Sequence, residues 1–271
     1  MRFINRRPER GERWLLALLP FILLALVYVV ASSARLADNP DDRLLPSVAQ
    51  MLDAIARMAF TEDARTGSVL LWSDTLASLT RLALGIAVAA LAGLGLGIAS
   101  GAFPMLRATL SPLMAVLSMI PPLAILPILF IVFGLDELSK VMLIVIGITP
   151  VLARDLEQRA REIPLELLVK AQTLGANSWT AVLRVILPQL LARLLLSLRL
   201  MLGAAWLFLI SSEAISATAG LGYRIFLVRR YMSMDVILPY VAWITLLAWA
   251  MDWALRLIHR KCFPWSEGSA P

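Results

Sequence analysis

Three stretches of this chain carry no charge for longer than a soluble core can use. They are residues 14–32, with 19 positions, residues 82–106 between Arg81 and Arg107, with 25, and residues 108–135, with 28. A helix of about 20 apolar residues crosses the hydrocarbon core of a bilayer. The chain is 60% hydrophobic and 16% charged over 271 residues, against roughly 45–50% and about 25% in soluble domains. One core of that size cannot hide so much apolar surface, so several helices must face lipid. The reading is an all-α membrane protein of about six spans, with no room for a separate soluble module.

The net charge of +6 does not point to nucleic acid. No basic run is interleaved with aromatic residues, and the arginines sit beside apolar segments, as membrane orientation requires. A single cysteine, Cys262, excludes an intrachain disulfide, and a single histidine, His259, leaves no histidine-based metal cluster.

The run at 14–32 follows Arg2, Arg6, Arg7, Arg10 and Arg13. It exceeds the 7–15 apolar residues of a cleavable signal, so it is expected to stay as the first span. Residues 33–74 are polar, with Asp38, Asp41, Asp42, Glu62 and Asp63 around an apolar-periodic stretch at 48–60. This predicts an external segment with a surface helix, capped by Ser47 and preceded by a turn at Asn39-Pro40-Asp41-Asp42. In the second span Gly93, Gly97 and Gly101 recur every fourth residue, which lets another helix approach closely, from the same chain or from a second copy. Pro121, Pro122 and Pro127 predict a break in the third span. Residues 141–153 hold only 13 uncharged positions, so a fourth span must borrow flanks at 138–140 and 154–156. Residues 189–217, with Arg193, Arg199 and Glu213, make a fifth span, and 236–258, with Asp252 near its end, a sixth.

The expected organisation is a cytoplasmic N-terminus at 1–13, the first helix and external segment at 14–74, a helical core at 75–258 with a cytoplasmic loop at 154–184, and a cytoplasmic tail at 259–271. Both termini then lie inside. Cytoplasmic segments hold fourteen Lys and Arg and external ones eight, the direction of the positive-inside rule.

The loop at 154–184 alternates acids and bases and then reaches Pro164. After it, Leu167, Leu168, Ala171 and Leu174 fall at helical spacing, Gly175 stands where a C-terminal cap belongs, and Asn177-Ser178 can cap a following helix. The pattern is helix, turn, helix outside the membrane. Its apolar stripe either packs on the protein's own helix ends or marks an interaction site.

The run from Lys170 through Gly175 to Pro188 resembles the EAA loop of bacterial ABC importer permeases: Glu-Ala-Ala, three residues, Gly, nine residues, Ile, any residue, Leu-Pro. Ala171, Gly175, Leu187 and Pro188 match in register, and Val185 stands for Ile. Val169 and Lys170 replace the Glu and the first Ala, so the contact given to that Glu does not transfer. The segments beginning Pro121-Pro122, Phe133-Gly134 and Glu213-Ala214 look like the nitrate, sulfonate and taurine permease branch. The Lys170–Gly175 run and residues 223–231 are similar to permeases found beside urea or guanidine metabolism.

The resemblance implies a type-I importer permease with MetI-like architecture, working by alternating access in the bacterial inner membrane. It further implies a second permease copy, an ABC ATPase dimer that holds the ATP and Mg, and a periplasmic or lipid-anchored solute-binding protein. This chain then needs no cofactor and is not an enzyme. The implied ATPase-coupling residues are Leu167, Leu168, Ala171, Leu174, Gly175, Ala176, Asn177, Leu187 and Pro188. Independently, none of Lys140, Lys170 and Lys261 follows a glycine as a Walker A lysine would, so transport energy must come from a partner or a gradient.

Hydroxyls and broken helix at membrane depth make Ser118, Pro121, Pro122, Ser211, Ser212, Glu213 and Ser216 the expected translocation pathway, with helix-to-helix hydrogen bonding as the equal alternative for the serines. Glu213 lies about 25 residues past Pro188, hence near the external end of its span. There it can hydrate or pair with a base among residues 224–230, or it can touch solute. The rival function, a gradient-driven carrier or channel, would use Glu213 and Arg199 as an ion-coupling pair.

Overall fold

A computed structural model describes residues 10–39, 42–63 and 67–269. Arg2, Arg6 and Arg7 of the basic N-terminus, and Pro40 and Asp41 of the expected turn, lie outside the described residues. In chain order the helices are α1 (Arg10–Asp38), α2 (Val48–Phe60), α3 (Leu70–Ala102), α4 (Pro104–Leu117), α5 (Leu126–Phe133), α6 (Glu137–Arg161), α7 (Leu165–Thr173), α8 (Ser178–Ala181), α9 (Leu187–Ser216), α10 (Leu221–Arg229) and α11 (Met234–Cys262). Among the described residues the only β pairing is one isolated bridge, Glu62 with Val69. The chain divides into two compact units, one of the residues up to Val69 with Val228–Tyr240, the other of Leu70–Leu227 with the residues from Val241 on.

In the first unit, α1 is apolar and exposed on every side from Trp14 to Val27, with Leu15 at 72% and Phe21 at 70%. Such a helix is stable only in lipid. Its last turns hold the connection that follows. The Tyr28 hydroxyl donates to Pro46 O at 2.7 Å, Ser32 Oγ donates to Leu45 O at 3.0 Å, and Arg35 Nε reaches Asp42 Oδ2 at 2.6 Å. The backbone N–H of Leu44 and the Arg35 guanidinium hold the Asp42 carboxyl below its usual range. Ser47 caps α2 as expected, in a reciprocal box: Gln50 N donates to Ser47 Oγ at 3.2 Å and Ser47 N to Gln50 Oε1 at 2.8 Å.

The second unit is organised on α6. Gly85, Gly93, Gly97 and Gly101 of α3 face Ile144, Leu152, Leu156 and Ala160 of α6 in step, every fourth residue of one against every fourth of the other. A Cβ added at Gly93 or Gly97 would stand 2.8 or 2.6 Å from the Cβ of its partner leucine. The glycine stripe is therefore a seam within the chain. Ala89 and Ile148 continue the same register and are buried. On its other side α6 meets α9, whose Leu190, Ala205 and Leu209 are fully buried.

The weakly apolar fourth span is one continuous helix of 25 residues, about 37 Å at 1.5 Å per residue. It needs little lipid-facing hydrophobicity because protein surrounds it; even Ser139, Lys140 and Glu157 are buried. The third span is broken as the prolines require: α4 and the segment Pro122–Phe133 meet at 83°. Consecutive prolines remove two N–H donors at the bend. The fifth span begins earlier than expected, because α8, a π turn at Val182–Ile186 and α9 form one helical stretch, Ser178–Ser216. The π turn absorbs Pro188, and the Gln189 side chain donates to Val185 O at 3.0 Å. Among the described residues four helices are long and apolar enough to cross a membrane, and the bent pair makes a fifth; α6 is the sheltered sixth.

The seam predicts position-specific intolerance. Gly97→Val should lower stability by about 2–3 kcal/mol through overpacking against α6, whereas Gly95→Val, which meets nothing within 4 Å, should stay within about 0.5 kcal/mol. Thermal unfolding of the two variants in detergent, side by side, checks this; equal losses would remove the seam from its structural role.

Candidate functional site

The helix at 165–173 ends in a complete Schellman turn. Gly175 has φ of +85°, Gly175 N donates to Gln172 O at 2.9 Å, and Ala176 N donates to Ala171 O at 3.0 Å. A β-branched residue cannot take that conformation cheaply. Asn177 then caps α8 through Oδ1, which accepts from Thr180 N at 2.8 Å. No α7 residue is buried. Leu167, Leu174 and Trp179 are exposed, Leu174 at 88%, while Leu168 and Ala171 are half-buried. The stripe is thus mostly unspent on the protein's own helix ends. Leu187 and Pro188 begin α9, just past the π turn that joins it to α8.

Between α3, the broken third span, α6 and α9 lies a cavity of about 500 Å³, bordered by Leu96, Met114, Ser118, Pro122, Thr149 and Phe208 among others. No charged side chain lines it. The Thr149 hydroxyl is buried without a hydrogen-bond partner, an arrangement that ordinarily costs about 1–3 kcal/mol. Ser118 and Val151 also border a second, polar hollow of about 900 Å³ between α4 and the last three turns of α6. At the junction Arg154 Nη1 donates to Ser118 Oγ at 2.7 Å.

At the other end of α6, buried charges join four elements. Asp74, Ser78 and Arg81 lie on one face of α3 and are all buried, as is Glu213 of α9. Arg81 Nη1 donates to Glu213 Oε1 at 2.6 Å and to Ala219 O at 2.8 Å, Nη2 donates to Glu137 Oε1 at 2.8 Å, and Nε donates to Glu137 Oε2. Ser78 Oγ donates to Glu213 at 2.7 Å and accepts from Leu221 N at 2.8 Å. Glu213 Oε2 accepts from Gly222 N at 2.8 Å, and Asp74 accepts from Gly220 N at 2.9 Å and from Arg224 Nε at 2.8 Å. Gly220, at φ +134°, has no room for a side chain: a Cβ would stand 2.6 Å from the Glu213 carboxyl. Two expectations are corrected here. Glu213 neither hydrates nor pairs with residues 224–230: it is fully buried and its carboxylate is taken by Arg81, Ser78 and the Gly222 N–H, while Arg224 pairs with Asp74. Nor does Glu213 pair with Arg199, whose Nε donates to Asp252 Oδ1 at 2.7 Å.

The sequence matches the family described as binding-protein-dependent transport system inner membrane component over residues 85–263, the region that contains the seam, the cavity and the turn at Gly175. The chain belongs to that family. It is 34% identical over 221 residues to the taurine transport system permease of Escherichia coli, covering 82% of this chain and 80% of the other. It is 27% identical over 264 residues to an aliphatic sulfonates transport permease of Bacillus subtilis, covering 97% and 92%. With the bicarbonate transport system permease of Synechococcus elongatus it shares 34% over 198 residues, 69% of this chain and 70% of that one. In fold it is similar to a chain of the MetNI methionine ABC transporter in inward-facing conformations, with TM-score 0.62 at 20% identity over 71% of this chain and 95% of that one. The protein is a multi-pass inner-membrane permease of an ABC importer, with the type-I fold; it is not an enzyme, and its family works with ATPase and solute-binding partners.

Of the expected pathway residues, Ser118 and Pro122 border the permease's cavity, while Pro121 is exposed beside it. Ser211, Ser212, Glu213 and Ser216 do not border it. Ser211, Ser212 and Ser216 donate to carbonyls of their own helix, at 2.7, 2.8 and 3.4 Å, and Glu213 belongs to the buried cluster. Asp74 and Ser78 were missed as partners, although polar residues at i, i+4 and i+7 in an apolar helix were the available signal. Thr149 and Arg154 left no comparable trace.

The cluster predicts a coupled cost. Glu213→Leu should destabilise the permease by about 3–5 kcal/mol by leaving Arg81 buried with only Glu137, and Arg81→Met with Glu213→Leu should lose clearly less than the sum of the two. Gly220→Ala should behave like Glu213→Leu. Strict additivity in detergent unfolding would show that the pair is not coupled.

Proposed function

We propose that this permease imports a small oxyanion, such as a short sulfonate or taurine, as one of two identical chains, with the α7–α8 turn docked on the ATPase partner. The observation that carries the docking is the open apolar stripe of α7, held in place by the positive-φ turn at Gly175. That end of the bundle then faces the cytoplasm with both termini, and the Arg81–Glu213 cluster faces outward, where the binding protein delivers solute. ATP and Mg stay with the ATPase dimer. Its closure moves α7, and the attached α6 and α8–α9 stretch carries the motion into the bundle, so that the cavity opens alternately to the two sides.

Two facts support the solute class. The similar permeases are named for taurine, aliphatic sulfonates and bicarbonate, and at the edge of the cavity the Arg154 guanidinium is held only by the Ser118 hydroxyl. A gradient-driven carrier finds no support in the arrangement, since Arg81, Arg193, Arg199, Glu213 and Asp252 are all committed to ion pairs.

Gly175→Val should leave the permease in the membrane and abolish co-purification of the ATPase, and Leu174→Asp should weaken it at least tenfold. Normal assembly of Gly175→Val would exclude this turn from docking. Uptake into proteoliposomes of the whole importer should favour taurine and ethanesulfonate over urea and guanidinium by more than tenfold; the reverse order would overturn the solute class.

A further inference from the structure

The face of α6 that borders the two hollows changes character along its length. Gly147, Val151, Arg154, Gln158 and Arg161 repeat at intervals of four and three residues, so they form one stripe about 21 Å long at 1.5 Å per residue. Its first half borders the uncharged cavity and its second half the polar hollow. Opposite it, Ser111, Ala115 and Ser118 of α4 make a matching stripe, tied across by Ser111 Oγ donating to Glu157 Oε1 at 2.6 Å and by Arg154 donating to Ser118.

The charges along the polar half do not cancel. Asp155 is taken by Arg193 at 2.7 Å and Glu162 by Arg159 at 2.8 Å. Glu157 turns its carboxylate to Ser111 and is almost fully buried. Arg154 and Arg161 form no ion pair with any described residue, so two guanidinium groups face the hollow against one unpaired carboxylate. Arg154 is the nearer to the cavity, and a hydroxyl, which accepts but does not neutralise, is all that holds it. Guanidinium donors in a planar fork suit an oxyanion. Thr149, about 7.5 Å back along the helix axis and roughly 140° round it from Arg154, is among the residues that line the apolar side, with its hydroxyl buried and without a partner.

We propose that the junction of cavity and hollow is a transient solute site, in which Arg154 with Ser118 binds the oxyanion head of a solute whose compact apolar body lies against the cavity wall near Thr149. This deepens the importer reading above and rests on it for the direction of travel. Displacing Arg154 from Ser118 would untie α4 from α6 as the solute passes, which couples occupancy of the site to opening of the groove. A phosphate head group of a lipid presents the same chemistry as a sulfonate, and the test separates the two.

Ser118→Cys is placed in a Cys262→Ser background, which leaves one thiol in the chain. In assembled importer in phosphatidylcholine nanodiscs, a sulfonate-bearing methanethiosulfonate should label Cys at 118 about tenfold faster than a trimethylammonium-bearing one, each rate normalised to that reagent's rate with a free thiol. One unit charge a few ångströms from the thiol at an interfacial dielectric supplies a ratio of that order. Arg154→Gln should collapse the ratio to near one, and Arg154→Lys should keep most of it. Ethanesulfonate, with Arg154 intact, should slow labelling at least threefold. A ratio unmoved by Arg154→Gln, or no protection by ethanesulfonate, overturns the site; protection that comes only from added phosphatidylglycerol assigns it to lipid and also overturns it. A cationic solute in the uptake assay, with the labelling preference intact, would overturn the proposed solute class and with it the site's role in carrying solute, whereas a collapsed preference with sulfonate uptake intact overturns the site alone.

Discussion

The close approach of α3 and α6 is the constraint on which the rest of the second unit depends. Dispersion contacts are short-ranged, so an interface without side chains on one helix brings backbones together and multiplies contacts that lipid cannot match. Gly85, Gly93, Gly97 and Gly101 make that possible from Ile144 to Ala160 of α6. Because α6 is clad by α3 on one side and α9 on another, it tolerates polar residues such as Ser139, Lys140 and Glu157 that a lipid-facing helix could not hold. Its charged ends are then free to serve other purposes.

Those two ends are built on opposite principles. At one, Arg81, Glu213, Glu137, Asp74 and Arg224 satisfy one another together with the backbone N–H groups of Gly220 and Gly222. Removing Arg81 or Glu213 strands a buried charge, so this end is rigid and cooperative. At the other, α4 and α6 are linked by single hydrogen bonds across a hollow, and the helix beyond leaves its apolar face open.

Much of this was legible from residue order alone. Hydrophobic run length located every span but α6, whose 13 uncharged positions are too few to cross alone, because the thickness of a bilayer is fixed and the helical rise is fixed. Local capping chemistry was equally readable: Ser47 before α2, Gly175 after α7 and Asn177 before α8 all act within four residues of their own position. The kink at Pro121-Pro122 follows from missing donors and needs no tertiary context. The glycine stripe was visible too, although its partner could equally have been a second copy until Leu152 and Leu156 were found against it.

Pairings between distant segments were of another kind. Glu213 had several arginines within plausible reach, and sequence spacing favoured residues 224–230, but contact across 132 positions with Arg81 depends on how three helices stack. The loop through Ala219 and Gly220 delivers Arg224 to Asp74 instead, with the Gly220 N–H donating to the same carboxylate. The serines of α9 could line a pathway or bond between helices; the fold bonds them to their own helix, and it places Arg154 beside open space. Elements and caps are therefore written locally, in periodicity and in the hydrogen-bonding habits of single residues, whereas the partners of charges and the walls of cavities arise from the rotation of one packed helix about its axis relative to the next.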